Sequence, residues 1–516
     1  MMRETIILAV LDGWGVGQNN ESNPIYAAEP KIMNYIRAFF PSAALQASGI
    51  AVGLPWEEEG NSEVGHLTLG AGKILFQHFE RISSAITDGS FFNASALKNA
   101  FSEARKKNSA VHLIGLLSEG TVHAAFDHLK SLIEMAKKEN CEKLYLNLFS
   151  DGRDSAPHSA LNLLERLKVE TEKNGLGVIT SFTGRYYGMD RDGNWDRTKK
   201  AYEMLFGEGE KTLNLEDFIN KAYKRDLTDE FISPVIVGEP KPITDNDSLI
   251  FFNFREDRMR QITEPFINPN FNKFPAKKLN NLYLVTMTPY NDKFPTNIAF
   301  INEKAEKSLG RILAENNKVQ LRIAETEKYA HVTYFFNGLE EEPLPNEFRI
   351  LVPSQKVLHH ESQPEMMASQ ITDRALATLN EGSFDFILIN YANPDIVAHS
   401  GNFDATVKAI KVVDNEIDRL LKAVLAGNHT LLITSDHGNA EVLIDPKTGD
   451  PETKHNISPV PIYLVNKKFQ KKEAQNILNQ LPVIGLLSDV APTILALMNI
   501  EKPAEMTGQN LLPQLL

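Results

Sequence analysis

The chain has 516 residues, 42% hydrophobic and 23% charged, which is typical of a globular protein with at least two domains. Its formal net charge of −13 argues against a broad surface for nucleic acid or membranes, but it allows a small anionic substrate held by local arginines. No apolar run has the length needed to cross a bilayer.

The N-terminal segment and the cysteine content both bear on the compartment. The apolar part of "MMRETIILAVLDGWG" leads directly into turn residues without a small-residue cleavage site, so we interpret it as a strand and not as a signal peptide. A single cysteine, Cys141, cannot form an internal disulfide, and we interpret it as a packed thiol. We therefore expect a cytoplasmic protein without a thiolate metal cluster.

The segment "GNSEVGHLTLGAG", residues 60–72, holds Ser62 between two glycines, with a histidine four residues on. Glycine permits tight turns and close approach of other groups to the backbone. One interpretation is an ordinary glycine-rich loop with a surface serine. The alternative is a nucleophile, which requires a neighbouring base or a metal ion to activate the hydroxyl.

Three apolar runs stop at acidic residues and histidines. In chain order they are "TIILAVLDGWG" up to Asp12, "FDFILINYANPDIVAHSG" past Asn390 to Asp395 and His399, and "HTLLITSDHGNAE" up to Asp436 and His437. Runs that are apolar on both faces predict buried parallel strands, and intervening segments such as "ATVKAIKVVDNEIDRLLKAVLA" have helical spacing. This alternation predicts a doubly wound α/β sheet, in which functional groups gather beyond the carboxyl ends of the strands.

Each of these residues also has an ordinary explanation. Asp12 would fit a turn, whereas Asp395 and His399, four apart, would fit a capping carboxylate and a solvated histidine. Pro394 indicates that Asp395 is the first residue of a helix. The adjacent pair Asp436 and His437 at a strand end is harder to explain by packing.

Taken together with His455, which precedes the strand-like "NISPVPIYLV", these residues predict a metal site. Aspartate and histidine ligands without thiolates suit manganese or zinc, and they also accept magnesium or cobalt. Two close divalent cations would activate the Ser62 hydroxyl and polarise a phosphoryl group. The residues therefore predict phosphoryl or sulfuryl transfer through Ser62.

Eight motifs occur in one order along the chain: "LDGWG", "GNSEVGHLTLGAG", "SDGRDSAP", "GRYYGMDRDGNWDR", "FFNFREDRMRQ", "ETEKYAHVTYFFNGL", "NYANPDIVAHSG" and "TSDHGNAE". They closely resemble the cofactor-independent phosphoglycerate mutases of the alkaline phosphatase superfamily, and the resemblance extends to "LSDVAPTILALMNI" near the C-terminus. It implies interconversion of 3-phosphoglycerate and 2-phosphoglycerate through a phosphoserine on Ser62, without 2,3-bisphosphoglycerate, by a monomer.

The resemblance also implies the domain organisation. Residues 1–77 and 305–516 would form an alkaline-phosphatase-like, mostly parallel α/β domain that binds metal. Residues 78–304 would form an inserted substrate-binding transferase domain. The sequence itself agrees loosely, because the insert has strand-like runs of its own, such as "KLYLNLF" and "SLIFFNF".

By resemblance, two divalent cations are implied, usually manganese, with zinc, cobalt or magnesium as alternatives. One would be held by Asp395, His399 and His455, and the other by Asp12, Asp436, His437 and the Ser62 oxygen. The segment "PETKHNISPVP" around His455 departs from the threonine-bearing pattern usual in the family.

The substrate carries a carboxylate and a phosphate, and the planar fork of arginine suits both groups. The candidate substrate contacts are His123, Arg153, Asp154, Arg185, Arg191, Arg255, Arg258 and Lys328. Any one of the arginines would ordinarily be a surface ion pair. The assigned catalytic roles are charge stabilisation by Lys328 and proton transfer between the glycerate hydroxyls by Asp154. We interpret His128, near His123, as a residue on a helix surface.

Two other functions remain open. A phosphomonoester hydrolase on the same scaffold would use Ser62 and the metals but would pass the phosphoryl group to water. The arginine-rich insert favours the mutase, because hydrolysis needs no clamp for a second anionic end. A non-catalytic metal-binding protein is the third possibility, and the intact serine and ligand set argue against it. We expect no partner beyond the small-molecule phosphoglycerate.

Overall fold

The computed structural model describes residues 4–301, 304–357, 359–445, 448–476 and 480–516. The chain divides into two compact units, the first formed by Met1–Phe76 and Glu303–Leu516 and the second by Gln77–Asn302. The domain limits predicted from the sequence lie within two residues of these limits. In the described residues, no helix is both long and apolar enough to span a membrane.

The described strands are, in chain order, β1 (Ile6–Leu11), β2 (Ser42–Gln46), β3 (Val111–Leu117), β4 (Leu144–Ser150), β5 (Val178–Gly184), β6 (Glu210–Thr212), β7 (Val235–Val237), β8 (Ser248–Phe251), β9 (Tyr283–Thr286), β10 (Asn297–Ile298), β11 (Gln320–Glu325), β12 (Glu347–Val352), β13 (Phe386–Tyr391), β14 (Thr430–Thr434), β15 (Val460–Val465) and β16 (Val483–Leu486).

The described α-helices are α1 (Pro24–Ala28), α2 (Lys31–Phe39), α3 (Ser62–Ala71), α4 (His78–Asp88), α5 (Ser95–Lys107), α6 (Phe126–Lys138), α7 (Ala160–Asn174), α8 (Arg185–Gly188), α9 (Trp195–Leu205), α10 (Leu215–Tyr223), α11 (Arg260–Ile267), α12 (Leu309–Glu315), α13 (Ala368–Glu381), α14 (Asn393–Ala398), α15 (Phe403–Gly427), α16 (Val490–Leu497) and α17 (Leu512–Leu515).

The first unit contains an eight-stranded sheet in the order β12-β11-β13-β1-β14-β15-β2-β16. Strand β1 pairs in parallel with both β13 and β14, so that Val10 lies opposite Asn390 on one side and Thr434 on the other. Strand β15 is antiparallel to both of its neighbours. The mostly parallel α/β fold predicted from the sequence is confirmed, and the three apolar runs that end in ligand-type residues are adjacent strands.

Helices cover both faces of this sheet. Along β1, Ile7 belongs to one hydrophobic cluster, together with Ile410 of α15, and Leu8 to another, together with Ile494 of α16. Each aliphatic side chain buried in this way contributes about 1.5–3 kcal/mol. Because both faces of β1 are buried, its sequence is a continuous apolar run. Polar residues follow only beyond its carboxyl end.

The second unit has its own eight-stranded sheet, in the order β10-β9-β8-β3-β4-β5-β7-β6. Strands β3, β4 and β5 are parallel neighbours, whereas β7 is antiparallel to β5. The loops after β3 and β4 carry His123 and Arg153 with Asp154, respectively, and Arg185 is the first residue of α8, directly after β5. That this unit is a substrate-binding transferase domain stays a prediction.

Two local expectations are wrong. His128 lies on α6 but is buried, stacked on Phe79 and edge-on to Phe254, with Nε2 3.0 Å from Ser83 Oγ. The cause is the orientation of α6, which turns this face of the helix towards the core. Asp395 is the third residue of α14 and not its first, because the helix begins at Asn393.

The cysteine is packed only in part. Cys141 is half-buried against the core of the second unit. Burial raises the pKa of its thiol to about 11, so it stays protonated near neutral pH.

Candidate active site

Helix α3 brings Ser62 to the carboxyl end of the first sheet. Asn61 caps the helix by accepting a hydrogen bond from Val64 N at 3.0 Å. Gly65 lets the helix lie directly against the end of β14, because a Cβ at this position would come within 2.5 Å of Asp436 O. The glycine at this position of the motif therefore serves close packing of the helix on the segment after β14 that carries Asp436 and His437.

Ser62 is buried, with only 7% of its surface exposed, and polar groups surround its hydroxyl. Oγ lies 3.1 Å from Asp12 Oδ1, 3.0 Å from His437 Nε2 and 2.7 Å from Lys328 Nζ. The interpretation of Ser62 as a surface serine is therefore wrong.

Lys328 is the cation at the centre of this group. It ends a short 3₁₀ turn after β11, and its ammonium lies 2.6 Å from both Asp12 Oδ1 and Asp395 Oδ2. Burial alone would lower the pKa of this ammonium, but the charges of the two aspartates outweigh burial and hold the pKa above its usual value. The side chain is therefore a permanent positive charge beside Ser62.

Asp395, His399 and His455 form the first group of ligand-type side chains, with their ligand atoms within 4.8 Å of one another. Both imidazole Nε2 atoms lie 3.3 Å from Asp395 Oδ1 and 3.1 Å from each other. Burial opposes ionisation of Asp395, yet Lys328 and the histidines hold its pKa well below the usual range. The hydrogen bond to Asp395 raises the pKa of His399.

Asp12, Asp436 and His437 form the second group within the same distance limit, and all three are fully buried. His437 Nε2 lies 3.5 Å from Asp12 Oδ1 and 3.6 Å from Asp436 Oδ2. Burial lowers the pKa of His437, but the charge of Asp436 overrides it and raises the pKa to about 9. Burial likewise opposes ionisation of Asp436, while His437 holds its pKa well below normal.

Both groups fit a divalent cation. Asp436 Oδ2 is buried, and among the described residues no donor is well directed at it, although His66 Nδ1 lies 3.1 Å away. A buried anionic oxygen normally has a well-directed partner. The imidazole nitrogens of His399 and His455 face each other beside one carboxylate oxygen, as ligands of a common ion would. Mixed carboxylate and imidazole donors are typical of manganese and zinc sites.

Several residues to which the sequence assigned no role also belong to this site. Asn439 Nδ2 donates to Asp395 Oδ1 at 2.8 Å. Glu441 accepts hydrogen bonds from Gly15 N and Asn439 N and thereby joins the loops that follow β1 and β14. The signal for both residues was the continued polar run "DHGNAE" after the strand end. His66 lies within the same buried network.

In the second unit, Arg185 is the buried arginine among the predicted substrate contacts, with 3% of its surface exposed. Its Nη1 donates to Asp151 Oδ1 and Asp154 Oδ2, each at 2.6 Å. His123 Nε2 lies 3.9 Å from Asp154 Oδ2. Burial and the charge of Arg185 lower the pKa of His123 to about 4, so its imidazole is neutral near pH 7.

The other clamp arginines are more exposed. Arg191 and Arg255 both pair with Asp257, at 2.6 Å and 3.5 Å, and Arg153 lies 3.6 Å from Glu230. Arg258 Nη1 donates to Met189 O at 3.3 Å. Burial and the charges of Arg185 and Arg191 lower the pKa of Arg258, which shows that these cations repel one another. Such a group of cations attracts anions.

Together these features define an α/β enzyme with a serine hydroxyl set among side chains of metal-ligand type and, in a separate unit, a group of arginines. The model of the BPG-independent phosphoglycerate mutase N-terminus matches residues 82–292. The chain is 45% identical to the 2,3-bisphosphoglycerate-independent phosphoglycerate mutase of Clostridium perfringens (strain SM101 / Type A), with 99% of this chain and 100% of that one covered.

Two further comparisons match the chain to phosphoglycerate mutases. The enzyme of the same name from Moorella thermoacetica is 44% identical, with 98% of each chain covered. A crystal structure of Leishmania mexicana phosphoglycerate mutase at low cobalt concentration is 29% identical, with a TM-score of 0.59 over 98% of this chain and 97% of that one. The chain therefore belongs to the family of 2,3-bisphosphoglycerate-independent phosphoglycerate mutases, which are glycolytic isomerases.

Proposed function

We propose that this chain interconverts 3-phosphoglycerate and 2-phosphoglycerate through a phosphoserine on Ser62, with two divalent cations and without 2,3-bisphosphoglycerate. The observation that carries the proposal is the surroundings of Ser62 Oγ, which lies within 3.1 Å of Asp12, His437 and Lys328. A buried hydroxyl beside a cation and potential metal ligands has the environment of an activated nucleophile.

We assign one cation to Asp395, His399 and His455, and the other to the Asp12, Asp436 and His437 group together with Ser62. When bound, such ions lower the pKa of a hydroxyl and neutralise charge on a phosphoryl group. Manganese is the ion that we favour, and zinc, cobalt and magnesium suit the same donors.

In the first half-reaction, Ser62 reacts as its alkoxide, the form in which it also leaves the second half-reaction. Its Oγ attacks phosphorus, the bond from phosphorus to the C3 oxygen of the substrate breaks, and glycerate remains bound. Lys328 holds its charge next to the transferring group, where preorganised cations stabilise the transition state. Asp154 donates a proton to the departing C3 oxygen. In the second half-reaction, the C2 hydroxyl gives its proton to Asp154 and recovers the phosphoryl group from Ser62, which regenerates the free serine.

We assign recognition of the substrate's anionic groups to the second unit, through His123, Arg153, Arg185, Arg191, Arg255 and Arg258. The support is the group of mutually repelling cations around Arg258 together with the carboxylates that hold them. A simple hydrolase has no use for a second anion-binding group. That the protein is a monomer and that it is cytoplasmic stay predictions.

The test is to incubate the manganese-loaded enzyme with 3-phosphoglycerate, quench it within milliseconds and search for phosphate on Ser62 by mass spectrometry. We expect the modified peptide together with 2-phosphoglycerate, and neither with the Ser62→Ala variant. Free phosphate without 2-phosphoglycerate would identify a hydrolase instead. Full turnover without any phosphate on Ser62 would refute the proposed intermediate.

A further inference from the structure

A chain of hydrogen bonds connects the backbone of Ser62 to the side chain of Asp12 without using the Ser62 hydroxyl. His66, one turn further along α3 and fully buried, has Nδ1 2.9 Å from Ser62 O. Its Nε2 lies 3.0 Å from Nδ2 of Asn390, and the same amide nitrogen lies 2.7 Å from Asp12 Oδ2. The bonds therefore join α3, β13 and the end of β1.

The partners determine the direction of each bond. An ionised carboxylate only accepts hydrogen bonds, so Asn390 presents its NH₂ group to Asp12, and its second hydrogen points to His66 Nε2. That nitrogen therefore accepts and carries no hydrogen, whereas Nδ1 carries one and donates to Ser62 O. The opposite amide orientation would place two oxygens 2.7 Å apart. Consistently, Asn390 Oδ1 receives no hydrogen bond from the described residues.

This network uses only one of the two oxygens of the Asp12 carboxylate, Oδ2. Oδ1 faces Ser62 Oγ and Lys328, while Oδ2 is held by Asn390. His66 Nδ1 also lies 3.1 Å from Asp436 Oδ2, so the imidazole touches a second member of the same ligand group. His66 and Asn390 thus limit both the rotation of the Asp12 carboxylate and the position of α3, the helix that begins at Ser62.

We infer that His66 and Asn390 are positioning residues that set the affinity of the cation site formed by Asp12, Asp436 and His437. The inference rests on the proposed function, because it takes these three residues as ligands. Partners that orient metal ligands typically change metal affinity 10- to 100-fold when they are removed.

The other ligand group offers a matched control. Asn439 Nδ2 donates to Asp395 Oδ1 at 2.8 Å, so its relation to Asp395 parallels that of Asn390 to Asp12. Loss of Asn439 should weaken the site of Asp395, His399 and His455. Substitution of Asn390 should therefore weaken mainly the site that contains Asp12, and substitution of Asn439 mainly the site that contains Asp395.

The experiment measures Mn²⁺ binding to the full-length protein, with free Mn²⁺ quantified by electron paramagnetic resonance. A His399→Ala background isolates the Asp12 site, and a His437→Ala background isolates the Asp395 site. We expect His66→Ala and Asn390→Ala to weaken binding 10- to 100-fold in the first background and less than threefold in the second. Asn439→Ala should show the reverse.

Two further measurements separate positioning from general destabilisation. His66→Asn keeps an N–H donor near the place of Nδ1, so we expect its Mn²⁺ affinity to stay closer to that of the parent protein than the affinity of His66→Gln. Nitrogen chemical shifts of His66 in the metal-free protein should identify Nδ1 as the protonated ring nitrogen. A protonated Nε2 would overturn the assigned network.

The outcomes distinguish this inference from the proposed function. If neither background binds Mn²⁺, the ligand assignment fails and the inference fails with it. If both backgrounds bind the ion but His66→Ala weakens the two sites equally, or neither of them, only the positioning role is refuted. Weakening confined to the Asp12 site supports it.

Discussion

Replacing Lys328 with methionine should destabilise the metal-free protein and at the same time strengthen its binding of divalent cations. The ammonium contacts Asp12, Asp395 and Ser62 at 2.6–2.7 Å, and only 3% of the residue's surface is exposed. Methionine keeps most of the side-chain volume but leaves two buried carboxylates without their cation. Because the ammonium occupies oxygens that a metal ion would also use, its removal frees them for the ion.

The size of the destabilisation expected for Lys328→Met depends on how deeply the ion pair is buried. Removing one partner from a buried ion pair typically costs about 3–5 kcal/mol, whereas exposed pairs contribute about 0–1 kcal/mol. The chain contains a matched exposed pair, Lys422 with Asp418, at the same distance of 2.6 Å, with 75% of the lysine side chain accessible. Lys422→Met should therefore change the unfolding free energy by less than about 1 kcal/mol.

The assay is urea unfolding in the presence of a chelator, followed by tryptophan fluorescence. Trp14 and Trp56 lie in the first unit and Trp195 lies in the second, so a Trp195→Phe background reports on the first unit alone. The titration is then repeated with increasing Mn²⁺, which stabilises the folded state according to its affinity. A Lys328→Met protein that unfolds at the parent's urea concentration in chelator, or that binds Mn²⁺ more weakly, would refute the reasoning.

Three further predictions concern single side chains. Burial lowers the pKa of His128 from 6.5 to about 4, so the unfolded chain binds more protons than the folded chain between these pH values. The second unit should therefore lose up to about 3 kcal/mol of unfolding free energy as the pH falls from 6.5 to 4. His128→Phe should remove this pH dependence, as measured by urea unfolding at pH 7 and pH 5. Because the metal-free pKa of His437 is about 9, Mn²⁺ binding to the site of Asp12, Asp436 and His437 should release close to one proton at pH 7. Calorimetry in buffers of different ionisation enthalpy measures this release, and His437→Gln should lose it. Gly65→Ala should force α3 away from Asp436 O and lower the unfolding free energy by about 1–3 kcal/mol, and unchanged stability and activity would show that the helix can move freely.

The strands that position the site could be predicted from the sequence because β1, β13 and β14 are buried on both faces. Their apolar runs end sharply at Asp12, Asn390 and Thr434, and parallel neighbours place these ends at one edge of the sheet. The division of the ligands into two groups came from the resemblance to a family and not from spacing. Strand direction could not be predicted in the same way, since nothing in "NISPVPIYLV" indicates that β15 runs antiparallel to β14.

Side-chain positions that depend on distant segments could not be predicted. Lys328 reaches Asp12 and Asp395 only because β11, the strand before its turn, pairs with β13 in the sheet. The error at His128 has the same origin, because its neighbours Phe79 and Phe254 come from remote parts of the chain and turn an amphipathic helix position into a core position. Helical periodicity identifies a buried face but not its limits.

The charge balance of the site connects its protonation state to its use of metal. Asp12, Asp395 and Asp436 are buried together, and Lys328 supplies only one positive charge against them. An unbalanced buried charge is costly, so the metal-free site recruits protons instead, which is why the pKa values of His437 and His399 are raised. Cations that displace these protons supply the same compensation and leave the imidazoles as neutral ligands. The raised histidine pKa values and the predicted affinity for divalent cations are therefore two consequences of the same excess of negative charge.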